Sequence, residues 1–92
     1  MKKFKSKVGW VVYEATAEDT VQLGGRGICD DCDKPSPTGF LVAILNSYLC
    51  PECYKKWDGT GRYYHEDKPV EDRRIAYFDH VFRNKIQEAG NE

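Results

Sequence analysis

Four cysteines stand in two identical pairs, and their spacing carries the clearest chemical signal in the chain. Cys29 and Cys32 form the first Cys-x-x-Cys pair, and Cys50 and Cys53 form the second, with 17 residues between the pairs. A Cys-x-x-Cys turn lets both sulfurs approach one metal ion, and two such turns supply four ligands in a tetrahedron. A separation of this length is typical of zinc sites. We therefore predict one structural Zn²⁺ bound by these four residues.

A redox pair or a disulfide framework is the alternative use of paired cysteines. A reactive Cys-x-x-Cys needs a lowered thiol pKa, which positive neighbours or a helix N-terminus provide. Asp30, Asp31 and Asp33 instead surround the first pair, and negative charge disfavours the thiolate. A bound Zn²⁺ overrides this effect because a coordinated thiol is deprotonated. The acidic residues thus favour a metal site, and we assign them no role of their own.

No catalytic activity is expected from these residues. Four cysteine ligands leave no position for the water that catalytic zinc binds. His65 and His80 are interpreted as exposed residues without a special role rather than as ligands or bases. The segment LGGRG at residues 23–27 lacks the lysine and the glycine register of phosphate-binding loops. We therefore predict that the chain is not an enzyme.

Local patterns predict the elements that position the cysteines. Residues 7–15 are rich in Val, Trp and Tyr, which predicts a strand. Thr16 followed by Asp19 predicts a short capped helix that ends at Gly24 and Gly25, and a hairpin through residues 17–19 is the alternative. Residues 40–45 and 48–50 predict two paired strands around a turn. Pro51 is suited to the first position of a helix that carries Cys53 and stops near residues 57–59.

Over residues 27–57 this order of knuckle, hairpin and helix resembles the treble-clef class of zinc fingers. Cys29 and Cys32 match the knuckle of that class, while Cys50 and Cys53 match the hairpin end and the first helical turn. The resemblance implies a structural zinc ion. Treble clefs serve ribosomal, regulatory, ubiquitin-related and nuclease functions, so the resemblance implies a fold rather than a function.

The C-terminal part predicts a long amphipathic helix, from about residue 70 to 89, with Pro69 at its start and Gly90 beyond its end. At 100° per residue one apolar stripe forms the expected core face. It consists of Ile75, Phe78, Phe82, Ile86 and Ala89. A second stripe is a predicted partner or dimer surface, with Tyr77 as its aromatic anchor; the alternative is that it lies at the edge of the core. It consists of Val70, Tyr77 and Val81.

These elements predict a small zinc-stabilised α+β domain. The 92 residues are expected to form one domain, because chains of this size rarely divide. Its parts are an N-terminal strand and turn region (1–26), a four-cysteine zinc module (27–57) and a C-terminal helix (69–89).

Charge and composition narrow the range of partners. The net charge is −1; four thiolates and one Zn²⁺ change it to about −3. Nucleic-acid-binding domains carry a clear basic excess instead. No segment approaches the roughly 20 apolar residues of a membrane helix, and metal-binding cysteines are typical of a cytoplasmic protein. We predict a protein-interaction or regulatory module whose partner is another protein or a second copy of the chain. The alternative is nucleic-acid binding through lysine clusters and the Arg62–Tyr64 segment.

Overall fold

A five-stranded sheet is the centre of the computed structural model, which describes residues 1–88. In chain order the strands are β1 (Lys2–Lys5), β2 (Val11–Thr16), β3 (Thr38–Val42), β4 (Ser47–Leu49) and β5 (Gln87–Glu88). They lie in the order β4-β3-β2-β1-β5, antiparallel except for β5, which pairs with β1 in parallel. The helices are α1 (Ala17–Val21), α2 (Pro51–Thr60), a short 3₁₀ helix (His65–Asp67) and α3 (Lys68–Val81). The predicted α+β class is confirmed.

The N-terminal region is a hairpin rather than the single strand predicted over residues 7–15. β2 begins only at Val11, and β1 precedes it. Between them the amide of Ser6 donates to the carbonyl of Trp10 at 2.8 Å, and the amide of Trp10 donates to Ser6 Oγ at 3.1 Å. Gly9 in this turn has a φ of +108°, which glycine adopts without steric cost. β1 was missed because a short segment with three lysines carries little strand propensity.

Helix α1 begins as the sequence predicts. Thr16 is the N-cap: its Oγ1 accepts from the amide of Asp19, and the Asp19 carboxylate accepts from the amide of Thr16 at 2.9 Å. This reciprocal capping box satisfies two amides that the helix cannot pair internally. The alternative of a hairpin through residues 17–19 is wrong.

The two faces of the sheet carry separate hydrophobic clusters, because side chains alternate along each strand. Phe78 and Phe82 pack on one face, and Ile75 and Ile86 lie partly buried beside them. The sheet residues in this first cluster are Val11, Tyr13, Ala15, Leu41 and Tyr48, and Ala43 joins them from the turn after β3. The second cluster, on the other face, consists of Val12, Cys29, Val42, Leu49, Cys53 and Tyr54. The cysteines and α2 therefore cover the face opposite to α3.

Helix α3 ends at Val81, eight residues before the predicted end at residue 89. The amides of Lys85 and Ile86 both donate to the carbonyl of Phe82, which turns the chain back. Ile86 thereby reaches the first cluster, and residues 87–88 pair with β1. The apolar periodicity continues through this turn because Phe82 and Ile86 face the same core, so the pattern overestimates the helix. Ala89 and Gly90 lie outside the described residues.

Two buried side chains fix α3 and the connection before it to the sheet. Glu71 is 1% exposed, and its Oε2 accepts from the amide of Val11 at 2.6 Å. Trp10 is 2% exposed and donates from Nε1 to the carbonyl of Arg62 at 2.8 Å. The Trp10 ring also packs on Tyr63, with 4.4 Å between the ring centroids. Helix α3 therefore lies on the face of the first cluster, and α2 and the cysteines lie on the face of the second cluster.

Candidate metal centre

The first pair of cysteines lies in a tight knuckle. The amide of Cys29 donates to the carbonyl of Lys34 at 2.9 Å, and the amide of Asp33 donates to the carbonyl of Cys29 at 2.9 Å. Asp33 has a φ of +62°, a left-handed conformation that Asp tolerates better than most residues. The amides of Asp31 and Cys32 lie 3.4 and 3.5 Å from Cys29 Sγ. The loop thus turns its backbone donors toward a sulfur that bears negative charge when it binds a metal.

Gly27 sets the position of this knuckle against α1. Its φ is +70°, and a Cβ at this position would lie 2.4 Å from Ala17 Cβ. Its amide also donates to Thr20 Oγ1 at 2.8 Å. The glycine is therefore required by close packing and by backbone conformation.

The second pair stands where β4 passes into α2. Cys50 is the N-cap residue of α2, and its sulfur makes no capping hydrogen bond. Pro51 occupies the start of the helix, as predicted, and Cys53 follows in the first turn. The amide of Tyr54 donates to the carbonyl of Cys50 at 2.9 Å, which holds this turn closed. Both sulfurs of the pair therefore lie at the same end of the helix.

Asp30 joins the two halves of the centre. Its amide donates to the carbonyl of Tyr48 at 2.8 Å, and its carboxylate accepts from the amide of Tyr48 at 2.8 Å. Tyr48 in turn donates from its hydroxyl to the carbonyl of Ser36 at 2.8 Å. The sequence alone does not predict this role of Asp30. A short acidic side chain beside a knuckle cysteine was the available signal, but its partner is a backbone group 18 residues away.

The four sulfurs fit one metal ion. All four lie within 4.8 Å of one another, and Cys32 Sγ and Cys50 Sγ are 3.8 Å apart. In a tetrahedral site with metal–sulfur bonds of about 2.3 Å, two sulfurs lie about 3.8 Å apart. The sulfurs of Cys32 and Cys50 therefore already have the separation expected of two ligands of one ion. None of the four forms a disulfide; Cys29 and Cys53 are buried, and Cys32 and Cys50 are partly buried. The structure therefore brings together all four predicted ligands.

The thiols of the cluster differ in acidity. Burial alone would raise the pKa of Cys29, but the amides of Cys32, Cys50 and Asp31 outweigh it and lower this pKa to about 7. The expectation that the neighbouring aspartates disfavour the thiolate is therefore wrong for Cys29. Burial raises the pKa of Cys53, and the adjacent Cys50 sulfur and Asp31 carboxylate raise it further. A metal ion would thus meet one readily formed thiolate and displace protons from other sulfurs, so binding is coupled to proton release.

The other singled-out residues lie away from this centre. His65 is exposed in the 3₁₀ helix, and His80 is exposed near the end of α3. Among the described residues, the four cysteines are the only group of three or more His, Cys, Asp or Glu side chains placed to hold a metal ion.

The three residues of the predicted interaction surface have different environments. Tyr77 is 54% exposed, whereas Val81 packs against the first cluster and Val70 is half-buried. That they form a partner or dimer surface stays a prediction. Only Tyr77 presents a large exposed side chain for it.

Comparison with known proteins yields no match to a family model, to a curated protein or to a solved structure. Within residues 1–88, none of the helices has the length and apolar character needed to cross a membrane. The metal centre itself therefore carries the functional argument.

Proposed function

We propose that the chain is a structural-zinc protein of the treble-clef type. The observation that carries the proposal is the approach of four cysteine sulfurs to within 4.8 Å on one face of the sheet. Four thiolates in tetrahedral geometry select zinc or an iron–sulfur centre, and the spacing of the pairs favours zinc. The order of knuckle, β3–β4 hairpin and α2 supports the treble-clef assignment.

The proposed zinc ion links elements rather than promoting a reaction. It would cross-link the knuckle to the junction of β4 and α2 and would complete the second cluster, in which Cys29 and Cys53 are buried. Because four sulfur ligands leave no open position, we propose that the protein has no hydrolase, deaminase or thiol-redox activity.

We further propose that the folded module acts by binding a protein. Several basic side chains that could contact nucleic acid are engaged within the fold. Lys3 pairs with Asp79 at 2.9 Å, and Arg74 donates to the carbonyls of Ala43 and Ile44. The metal-loaded chain would also carry a net charge of about −3. Both features favour a protein partner over a polyanion.

Affinity capture from the native host tests this function. We expect the metal-loaded chain to enrich a defined protein that stays bound after nuclease treatment and as salt rises from about 50 to 200 mM. The Cys53→Ser variant should lose this partner together with its metal. Capture of nucleic acid that is lost over the same salt range would support the nucleic-acid alternative. Equal capture by native and metal-free protein would contradict the proposal.

A further inference from the structure

A cleft of about 370 Å³ opens beside the metal centre. The knuckle forms one wall, the turn and strand of the β3–β4 hairpin form the floor, and α2 forms the other wall. The residues that matter for its chemistry are Asp31, Leu45, Leu49, Cys53, Lys56 and Trp57. Its volume lies within the range of sites that take small ligands, and it is large enough for one long side chain of a partner.

Two apolar side chains of the cleft, Leu45 and Trp57, keep part of their surface exposed. Leu45 lies in the β3–β4 turn and is 42% exposed, although turn tips are ordinarily polar. Trp57 is half-buried, with its ring 5.9 Å from the ring of Tyr54. A tryptophan held in place can contact an aliphatic stem and attract a cation through its π system. The floor and the helix wall therefore suit a long, flexible, positively charged side chain.

The charge of the cleft favours the same occupant. Asp30 and Asp31 line one wall, Cys53 is one of the proposed zinc ligands, and Lys56 is the cation on the opposite wall. A divalent metal with four thiolates carries a net charge of −2. The two carboxylates and Lys56 give the lining a net charge of −1, and with the proposed zinc centre the surroundings of the cleft would carry about −3. The described residues show no ion pair from Lys56 across the cleft.

We propose that this cleft binds a lysine or arginine side chain of a partner protein, with Asp31 facing the charge and Leu45 and Trp57 contacting the stem. This inference rests on the proposed function, because it names the chemistry by which the module recognises its partner. The partner segment is basic with apolar neighbours.

Two matched peptides test the cleft directly. The first is the acetylated amide of glycine-leucine-arginine-leucine-glycine, and the second carries citrulline, a neutral isostere, in place of arginine. We expect the arginine peptide, titrated into the zinc-loaded chain, to shift the amide resonances of Asp31, Leu45 and Lys56 and the indole resonance of Trp57. The citrulline peptide should bind about fivefold more weakly. Equal affinity of the two peptides, or shifts confined to other surfaces, overturns the proposal.

Three variants test whether the charge of the cleft determines the affinity for the arginine peptide. Asp31→Asn should weaken the arginine peptide several-fold, whereas Lys56→Gln should tighten it. Asp33→Asn is the matched control: it removes the same charge from the same loop, does not line the cleft, and asparagine tolerates the φ of +62°. Equal weakening by Asp31→Asn and Asp33→Asn would mean general electrostatic attraction and would overturn the proposal. Zinc content is measured for each variant, and Lys56→Gln tests the cleft even if Asp31→Asn loses metal.

Binding of a captured partner to the cleft variants distinguishes the proposed cleft from the proposed function. A partner that binds the Asp31→Asn and Lys56→Gln variants as it binds the native chain overturns the cleft and leaves the protein-binding function standing. Failure to capture any partner contradicts the function, while the peptide titration still decides the chemistry of the cleft.

Discussion

Asp30 holds the two ligand pairs in register through its backbone and its side chain. Both groups bond to Tyr48, one accepting from the amide and the other donating to the carbonyl. These two bonds join the knuckle to the hairpin without involving a sulfur. Such a contact acts through positioning, since Asp30 is not itself a ligand. Outer contacts of this kind commonly change metal affinity by about 10- to 100-fold when removed.

Replacing Asp30 by alanine tests this role. We expect Asp30→Ala to lower the free energy of unfolding by about 2 kcal/mol, since one hydrogen bond to a charged group is lost, and to weaken zinc binding about tenfold. Competition with a chromophoric chelator measures the affinity, and exchange of the Tyr48 amide measures the local opening. Asp30→Asn keeps an acceptor and should retain most of both. Native behaviour of the alanine variant would show that the clamp is unimportant.

Asp19 provides a test of pH dependence in the capping box of α1. Burial raises its pKa, but bonds from the Thr16 amide and the Lys85 side chain outweigh this and lower the pKa below its usual 3.8. Because the folded state has the lower pKa, the stabilisation is present above about pH 4 and is lost as pH falls through the folded value. NMR of the Asp19 carboxyl carbon should give a pKa below 3.8, and Lys85→Met should raise it. A pKa above 3.8 contradicts this account.

At the scale of elements, one buried carboxylate contributes to the attachment of α3 to the sheet. Glu71 Oε2 accepts from the amide of Val11, while Oε1 has no hydrogen-bond partner and lies 3.7 Å from the Lys68 ammonium group. Glu71 is a charged residue near the start of a helix, where exposed acidic residues are common, so the sequence does not predict that it is buried. The amide it satisfies belongs to a strand 60 residues earlier.

Two substitutions at position 71 separate the hydrogen bond from the charge. Glu71→Ala should lower the free energy of unfolding by about 2 kcal/mol, because the buried amide of Val11 loses its acceptor. Glu71→Gln keeps an acceptor of the same shape and should cost clearly less. Denaturant unfolding at constant m-value gives both quantities. Equal destabilisation by the two variants would show that the charge, rather than the acceptor, stabilises this contact.

Features that depend on residues close together in the sequence were predicted, whereas several that depend on distant residues were not. The α1 capping box and Pro51 at the start of α2 are encoded within a few residues, and the cluster of four cysteines is encoded in two short Cys-x-x-Cys pairs; each was predicted. The end of α3 was not, because Phe82 and Ile86 keep the helical apolar spacing while serving a turn. β1 is not predicted because its three lysines carry little strand propensity, while the bonds of Asp30 and Glu71 depend on partners 18 and 60 residues away. Local patterns do not contain that information.

At the scale of the whole molecule, the two faces of the sheet differ: one carries a purely hydrophobic cluster, and the other carries a cluster that includes cysteines. α3 covers one face through Phe78 and Phe82, while the cysteines and α2 cover the other. The second cluster contains two of the four proposed ligands, so without the ion it would lack the bonds that join Cys29 and Cys53 to the other two sulfurs. Small metal-stabilised domains often depend on the ion for folding. Stability should therefore be unequal across the sheet.

Removal of the metal should reveal this asymmetry. After chelation under reducing conditions, or in Cys53→Ser, we expect hydrogen exchange to accelerate first in residues 27–57, including the amide of Asp30. The contacts of α3 with β2 should be lost later or less completely. Hydrogen exchange followed by mass spectrometry provides the measurement. An unchanged exchange pattern after complete metal removal would show that the ion is not a structural element.

Metal analysis of the purified native chain tests the central claim most directly. The protein is prepared in reducing, chelator-free buffer, and its metals are measured by mass spectrometry together with X-ray absorption at the zinc edge. We predict one zinc ion per chain with a shell of four sulfurs at about 2.3 Å. Less than about half an equivalent of zinc, an iron centre, or a shell containing nitrogen or oxygen ligands would contradict a four-cysteine structural zinc site.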